Sequence, residues 1–182
     1  LELVVEDADG AVVFASGRTD STGRLVDGAG QVLPSETAGG AILGHLQTLT
    51  SSDQVYVLEA IMANQSGNPT FTLLRAASYA KDNRLLPRGW SDQYSKIAQI
   101  APVGTDGDAD FTGGGDQLDI DLALASDGQL TVRARLLYQP VSARFLAELA
   151  RWDTPEIRAF LTMLRAVGPS PEVVAEAQLT NE

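Results

Sequence analysis

Leu130-Thr-Val-Arg-Ala-Arg-Leu136 alternates apolar and polar side chains along its length. Because successive side chains of a strand point to opposite faces, this alternation predicts a β-strand with one buried side and one solvent-facing side. Leu118-Asp-Ile-Asp-Leu-Ala-Leu124 shows a similar pattern, with acidic instead of basic residues between the apolar ones. Turn residues at Ser126-Asp-Gly128 connect the two runs, so we expect an antiparallel hairpin whose aspartates face the arginines.

Two further pairs of strand-like runs are joined by turn residues. Asp-Gly and Asn-rich connections tolerate the positive φ angles of tight turns, so each pair is predicted to form a hairpin. Residues 16–44 are rich in glycine, serine, threonine and aspartate, which predicts a long surface loop. The paired runs are Leu1–Asp7 with Ala11–Ser16, and Val55–Ala63 with Thr70–Ser78.

After Pro140 the hydrophobic period changes from two to about 3.6, which predicts helices in the last part of the chain. Ser142 is predicted to cap a first helix. One residue of Asp153-Thr154 is predicted to cap a second helix, which carries Pro155 in its first turn, where a missing N–H is tolerated. Ser170-Pro171 is predicted to open a third helix.

Strands first and helices last predict a mainly β protein. We expect residues 1–140 to form an antiparallel β-sandwich domain of the jelly-roll or immunoglobulin-like kind. Residues 141–182 are expected to form a C-terminal appendix of two to three α-helices, packed on or beside that sandwich. The chain has 182 residues, which is long enough to bury a hydrophobic core of this kind.

The chain carries a formal net charge of −11 and contains no cysteine. A negative surface repels phosphate backbones and anionic lipids, so nucleic acid and membrane surfaces are disfavoured as partners. No apolar run approaches the about 18 residues that span a bilayer, so we expect no membrane insertion. The missing cysteines exclude disulfides, a cysteine nucleophile and covalently attached haem within this sequence.

A charged block, Lys81-Asp-Asn-Arg-Leu-Leu-Pro-Arg-Gly89, precedes an aspartate- and glycine-rich loop by about twenty residues. Together with the flanking strands and the closing helices, these motifs resemble the cysteine-free C-terminal region of bacterial multihaem c-type cytochromes. The charged block is the most specific part, and the resemblance covers most of the chain. The other segments that carry it are Val12–Gly17, Val55–Met62, Leu73–Trp90, Ile100–Gly104, Asp108–Asp116 and Leu136–Val141.

The resemblance implies a non-catalytic module of an electron-transfer protein. In that family the Cys-x-x-Cys-His motifs that bind haem lie upstream, so haem c is expected in the parent protein or in a partner cytochrome. The implied partner is that haem-bearing part, which the module would pack against, shield or help to assemble, in the periplasm or at the cell surface. The sequence begins at Leu1 within a strand-like run, and we expect it to be a piece of a longer protein.

His45 is the single histidine of the chain. The resemblance places a histidine shortly before a strand that contains Gln-Val, as Gly44-His45 stands before Gln54-Val55. A neutral imidazole is the usual nitrogen ligand of iron, so His45 is a candidate distal ligand to a haem held elsewhere. The alternative is a loop histidine that only forms hydrogen bonds.

The glycine-rich loop after the charged block carries four aspartates that could bind Ca²⁺. This ion takes about six to eight hard oxygen ligands, which carboxylates and backbone carbonyls supply. The spacing departs from an EF-hand, because Phe111 stands where that loop requires glycine. The candidate ligands are Asp106, Asp108, Asp110 and Asp116.

A structural clasp is the interpretation of the same aspartates that we favour. No basic residue occurs between Lys96 and Arg133, so the acidic loop has no cation of its own. Arginine suits bidentate pairing with carboxylates, so the charged block is predicted to pair with the acidic loop and lock the two together. The residues of this predicted clasp are Lys81, Arg84 and Arg88.

Other functional classes are weaker on the sequence. A free-standing Ca²⁺- or carbohydrate-binding β-sandwich remains an alternative, based on the aspartates and on aromatic residues such as Trp90 and Tyr94. A serine hydrolase would have to use His45, and no Gly-x-Ser-x-Gly elbow occurs. We therefore expect a protein that is not an enzyme.

Overall fold

The computed structural model describes residues 1–124, 128–169 and 171–181. Within them the protein consists mainly of strands in antiparallel sheets, accompanied by two α-helices, which confirms the predicted mainly β class. The strands are β1 (Glu2–Glu6), β2 (Val12–Ser16), β3 (Thr48–Leu49), β4 (Ala60–Ala63), β5 (Pro69–Thr70), β6 (Ser78–Asp82), β7 (Asp119–Ile120), β8 (Thr131–Tyr138) and β9 (Glu172–Thr180), and the helices are α1 (Ala143–Leu149) and α2 (Pro155–Val167).

The chain divides into two compact units, whose boundaries differ from the predicted division at residue 140. Both units are discontinuous in sequence, because the chain leaves the first unit and returns to it. The first unit comprises Leu1–Leu43, Thr50–Tyr56 and Asp121–Glu182, and the second comprises Gly44–Leu49 and Val57–Ile120.

The first unit is built on a four-stranded sheet in the order β2-β1-β8-β9. Strands β1 and β2 form the predicted antiparallel hairpin. Leu3 and Val5 of β1 are 1% and 2% exposed, because their shared face packs into the core of the unit. Other core residues of this unit are Ala15, Val26, Leu33, Val55, Tyr56 and Ala143.

Strand β9 occupies the place where a third helix was predicted. It pairs antiparallel with β8 along its whole length, from Tyr138 opposite Glu172 to Thr131 opposite Thr180. Ala, Glu and Gln favour helices, which explains the wrong prediction. Apolar residues nevertheless alternate along it, which is the strand period; they are Val173, Ala175, Ala177 and Leu179.

The predicted hairpin between residues 118–124 and 130–136 is also wrong. Strand β8 pairs with β1 on one side and with β9 on the other. Its arginines therefore meet glutamates of β1: Arg135 Nε donates to Glu2 at 2.7 Å, and Arg133 lies 3.9 Å from Glu6. The prediction had the right sign of charge opposite the arginines but the wrong strand. The connecting turn at Ser126-Asp-Gly128 lies largely outside the described residues.

One turn type recurs four times within the described residues. In each turn an Asp or Asn Oδ1 atom accepts the backbone N–H groups of the residues two and four positions further along. A glycine with a φ angle between 76° and 80° stands at the third position after the Asp or Asn, where other residues would be strained. The four turns are Asp7–Ala11, Asp20–Arg24, Asp27–Gln31 and Asn64–Asn68.

Two of these turns lie in the stretch that was predicted to be one long loop. Each is closed by a β-bridge, between Thr19 and Leu25 in the first and between Val26 and Val32 in the second. In both turns the aspartate side chain accepts backbone N–H groups that would bond a neighbouring strand in a longer hairpin.

Both helices begin at the predicted caps. Ser142 Oγ accepts the N–H of Phe145, and Thr154 Oγ1 accepts the N–H of Ile157. Gly168, with a φ angle of 81°, follows the last residue of α2. In the described part of the chain, no helix has the length and apolar content that crossing a bilayer requires.

The second unit contains two small sheets. Strand β4 lies between β5 and β6 in an antiparallel sheet, which confirms the predicted pairing of its run with the one that follows Pro69. Strands β3 and β7 form a parallel pair, with Thr48 opposite Asp119 and Leu49 opposite Ile120. The buried apolar residues of this unit include Leu49, Ile61, Ala63, Leu86 and Phe111.

We expect the carboxylate of Asp20, which begins the turn Asp20–Arg24, to make a pH-dependent contribution to stability. Burial tends to raise the pKa of Asp20, but hydrogen bonds from Thr22 and Arg24 outweigh it and hold that pKa well below its ordinary value. The ionised form is thus favoured by folding, so the contribution is present above the unfolded pKa of about 3.9 and is lost as pH falls below it.

Asp20→Asn tests this, because Asn64 occupies the equivalent position in another turn of the same type. We expect the free energy of unfolding in urea to differ between wild type and variant by a constant amount above about pH 5, and the difference to shrink steadily below about pH 4. A difference that stays constant down to pH 2 would contradict the ionic role of Asp20.

Candidate functional site

His45 and Asp116 are brought side by side by the parallel pairing of β3 and β7. Thr48 of β3 lies opposite Asp119 of β7. His45 lies three residues before Thr48, and Asp116 lies three residues before Asp119. The backbone N–H of Asp119 donates to the carbonyl of Gln47, which extends the pairing toward both side chains. Asp108 joins them from a turn earlier in the acidic loop.

The three side chains form a buried cluster, here called the His45 cluster: His45, Asp108 and Asp116. His45 Nε2 lies 2.8 Å from Asp108 Oδ2 and 3.8 Å from Asp116 Oδ2. The side chains are 3%, 2% and 2% exposed, so little water screens their charges. The ring of Phe111 meets the imidazole edge to face, with centroids 5.3 Å apart, and closes one side of the site.

Asn83 holds the other nitrogen of the imidazole. Its side chain is fully buried. Its Oδ1 atom accepts the N–H of Glu59 at 3.0 Å, and its Nδ2 donates to the carbonyl of Val57 at 3.0 Å. These two bonds fix which end of the amide faces the ring, where Nδ2 lies 3.1 Å from His45 Nδ1. His45 Nδ1 is therefore an acceptor, and Nε2 carries the proton donated to Asp108.

A tight turn fixes Asp108. Its Oδ1 atom accepts the backbone N–H groups of Asp110 and Phe111, at 3.1 and 3.3 Å, which leaves Oδ2 directed at His45. Burial tends to raise the pKa of Asp108, but the hydrogen bonds from His45 and from the two backbone N–H groups outweigh it and lower that pKa below its ordinary value. The carboxylate form is thus the one that the site favours.

Asp116 is oriented in the same way as Asp108. Its Oδ1 atom accepts the backbone N–H of Gln117 at 2.9 Å, and its Oδ2 atom faces His45. Both carboxylates therefore bond the backbone through one oxygen and turn the other oxygen toward the same imidazole nitrogen. The chemistry of the cluster is that of one nitrogen and two oxygen donors aimed at a common point.

Lys81 extends this polar network away from the cluster. Its ammonium group donates to the carbonyl of Val57 at 2.9 Å, the same carbonyl that Asn83 uses, and lies 3.1 Å from Glu59 Oε1. Burial lowers the pKa of Lys81, and the charge and hydrogen bond of Glu59 offset part of that effect. Lys81 and Asn83 lie two residues apart, so both point to the buried face of their strand segment.

The predicted clasp between the charged block and the acidic loop is wrong in its partners. Lys81 pairs with Glu59, and Arg84 forms two hydrogen bonds with Asp82, at 2.8 and 2.7 Å. The reason is strand alternation: Asp82 and Arg84 share the outward face, while Lys81 points inward. The pairing with Asp82 raises the pKa of the Arg84 guanidinium above its already high ordinary value.

The two loops of the predicted clasp nevertheless touch. The N–H of Gly114 donates to the carbonyl of Leu86 at 2.9 Å, and the side chain of Arg88 lies against Gly114. A Cβ atom at Gly114 would come within 2.8 Å of Arg88 Cγ, so the glycine permits this approach. Backbone and packing contacts hold the loops together here in place of the predicted charge pairing.

Of the four aspartates predicted as Ca²⁺ ligands, the structure brings Asp108 and Asp116 together with His45. Among the described residues, His45, Asp108 and Asp116 form the only group of three or more such side chains whose ligand atoms all lie within 4.8 Å of one another. Asp106 and Asp110 are exposed, and Asp110 accepts the N–H of Gln117.

The cluster also bears on the predicted role of His45 as a distal haem ligand. Both ring nitrogens have hydrogen-bond partners, and the side chain is 3% exposed. A ligand to a haem held by another segment needs a nitrogen that the bulky haem can reach. The geometry therefore favours the hydrogen-bonded histidine that the sequence left as the alternative.

Sequence reasoning missed the residues that organise the cluster. Asn83 stands inside the charged block, but a lone Asn in a polar stretch gives no signal of full burial. Val57 and Glu59 contribute through backbone atoms, which no side-chain pattern reveals. The one available signal was the alternation of Lys81 and Asn83 after a strand-like run, which places both on one face.

No protein-family model, curated protein or solved structure matches this chain. The structure itself shows a mainly β protein of two units, and the second unit contains the His45 cluster.

Asn83→Ala tests how much the network contributes to stability. The change leaves the N–H of Glu59 and His45 Nδ1 without the partner they have in the native protein, and each such buried group costs about 1–3 kcal/mol. We expect a loss of about 2–4 kcal/mol in the free energy of unfolding measured in urea. Asn68→Ala, at an exposed turn position, is the control and should stay within about 0.5 kcal/mol. Equal losses in both variants would contradict the role of Asn83.

Proposed function

We propose that this chain is a non-catalytic β-rich module of a multihaem c-type cytochrome, which it serves by packing against, shielding or assembling the haem-bearing part. The observation that carries the proposal is the charged block from Lys81 to Gly89, where the resemblance is most specific. Its residues have structural roles in the second unit, as Lys81, Asn83 and Leu86 are buried. A module of this kind needs no reagents of its own.

Exposed apolar side chains of the second unit support an assembly role. Leu73 and Leu74 form one turn of 3-10 helix and are 82% and 99% exposed. Adjacent leucines this exposed are unfavourable in water, and interface contacts commonly cover such residues. We propose that the haem-bearing part covers them.

The remaining parts of the proposal follow from composition and from the resemblance. The net charge of −11 favours a cationic surface on the partner. Without cysteine the haem c belongs to the parent or partner protein, and the compartment is the periplasm or the cell surface. The finer fold that we propose is an antiparallel β-sandwich of the jelly-roll or immunoglobulin-like kind.

The first test concerns the gene and the full-length protein. We expect Cys-x-x-Cys-His motifs to be encoded upstream of this sequence, and we expect the full-length protein purified from its native host to show the Soret absorption of haem c. An intact coding sequence without such motifs, or a full-length protein without that absorption, would contradict the proposal.

The second test concerns the exposed leucines. Leu73→Ser combined with Leu74→Ser is expected to weaken association of this module with the haem-bearing part by about tenfold or more, measured by titration calorimetry. Val167→Ser is the matched control, since Val167 is 86% exposed but belongs to the first unit. An unchanged affinity in the double variant would mean that these leucines do not contact the partner.

A carbohydrate-binding module is the second candidate, favoured by one specific observation. Trp90 and Tyr94 line the same open depression of about 450 Å³, together with Ser91 and Gln93. Within the described residues, the indole N–H of Trp90 is buried without a hydrogen-bond partner. Aromatic faces beside polar groups are the surfaces on which sugar rings pack.

Calorimetry of the module against a panel of soluble oligosaccharides tests this candidate. Binding at this depression is expected to fall at least about tenfold in Tyr94→Ala, while Tyr138→Ala, a 59% exposed tyrosine of the first unit, serves as the control. A panel that gives no heat of binding eliminates the carbohydrate function.

A further inference from the structure

The His45 cluster has the dimensions of a small metal site. His45 Nε2 lies 2.8 Å and 3.8 Å from the Oδ2 atoms of Asp108 and Asp116, and all three atoms lie within 4.8 Å of one another. A tetrahedral zinc ion has bonds of about 2.0–2.2 Å, which keeps its ligand atoms about 3.3–3.6 Å apart. The two observed separations bracket that value.

Burial and charge favour a cation at this point. Two carboxylates whose side chains are each 2% exposed face the same imidazole nitrogen. Charges removed from water in this way are stabilised when they are paired or coordinate a metal. A divalent ion between the two Oδ2 atoms would neutralise both carboxylates.

The second layer of contacts is also that of a metal site. Each carboxylate uses Oδ1 to accept backbone N–H groups, from Asp110 and Phe111 in one case and from Gln117 in the other. Such contacts hold ligands in place before the ion arrives, and outer partners of this kind recur around protein metal sites. The imidazole is held by Asn83 and Phe111.

We propose that His45, Asp108 and Asp116 bind one divalent transition-metal ion of the Zn²⁺ type, with a fourth position left for water. The nitrogen donor decides the class of ion. Ca²⁺ takes about six to eight oxygen ligands, whereas zinc binds imidazole and carboxylate in a four-coordinate arrangement. The site is independent of the cytochrome proposal, because its argument uses the geometry of the His45 cluster and not the resemblance.

The hydrogen bonds of Asn83 oppose binding of the ion. Without metal, Nδ1 accepts the amide of Asn83 and Nε2 carries the proton. An ion that binds Nε2 takes the place of that proton, which moves to Nδ1, and Asn83 must then turn its oxygen toward the ring. The turn breaks its hydrogen bonds with Glu59 and Val57. Asn83 thus limits the affinity of the site.

The test is calorimetric titration of Zn²⁺ into the chain after treatment with a chelator. We expect one ion per chain in the wild type, and a loss of affinity of more than about 100-fold in His45→Ala and in Asp116→Asn, beyond what outer partners cause. Asp106→Asn, at an exposed carboxylate of the same loop, is the matched control and should bind like the wild type. Ca²⁺ in excess should not displace Zn²⁺.

Asn83→Asp sharpens the test, because a carboxylate accepts the Nδ1 proton in the orientation that metal-bound histidines prefer. We expect this variant to bind Zn²⁺ about 10–100-fold more tightly than the wild type. If the variant does not fold, nitrogen NMR of the wild-type imidazole replaces it, and Zn²⁺ should move the ring proton from Nε2 to Nδ1.

Two results overturn the proposal. One is a wild-type chain that takes up no Zn²⁺. The other is uptake that is the same in His45→Ala as in the wild type, which would place the ion on surface carboxylates. Either result leaves the cytochrome proposal standing, since that proposal is tested by upstream haem motifs and by the Soret absorption.

Discussion

A fully buried carboxamide is the constraint on which the second unit depends. Asn83 must satisfy both ends of its amide away from water, and it does so with the backbone of residues 57 and 59 and with the ring of His45. Because these partners come from distant parts of the chain, the segments that carry them are fixed relative to one another. The tautomer of His45 follows from this arrangement, and it presents the Nε2 proton to the oxygen of Asp108 that the turn directs at the ring.

Charge is handled differently on the surface and inside. Two of the most exposed pairs join residues that are close in sequence, Arg84 with Asp82 and Arg24 with Asp20. Such pairs contribute little to stability because water competes for both partners. The buried charges are held by backbone groups as well as by each other, since an unsatisfied ion inside the protein is far more costly. Arg84 therefore pairs within its own segment, without the predicted bond to the acidic loop.

The sequence was sufficient for elements with strong local signals. Ser142 and Thr154 bond the helix N-termini as their positions predict, and the glycine three residues after an Asp or Asn defines a recurring turn through its positive φ angle. It failed where local propensity and tertiary pairing disagree. Strand β9 has helix-forming residues, but without it one edge of β8 would have no partner. The hydrogen bonds between β8 and β9 outweigh the helix propensity of these residues.

For the candidate site, the sequence alone determined the inventory: one histidine, a surplus of aspartates and a charged block with an Asn in it. It also determined the turns that direct one oxygen of Asp108 to the backbone, because those contacts span only two or three residues. Only the tertiary structure decided which aspartates meet His45. That choice depends on the register of the short parallel pair β3–β7, and a pairing between residues about seventy positions apart leaves no periodic pattern in either segment.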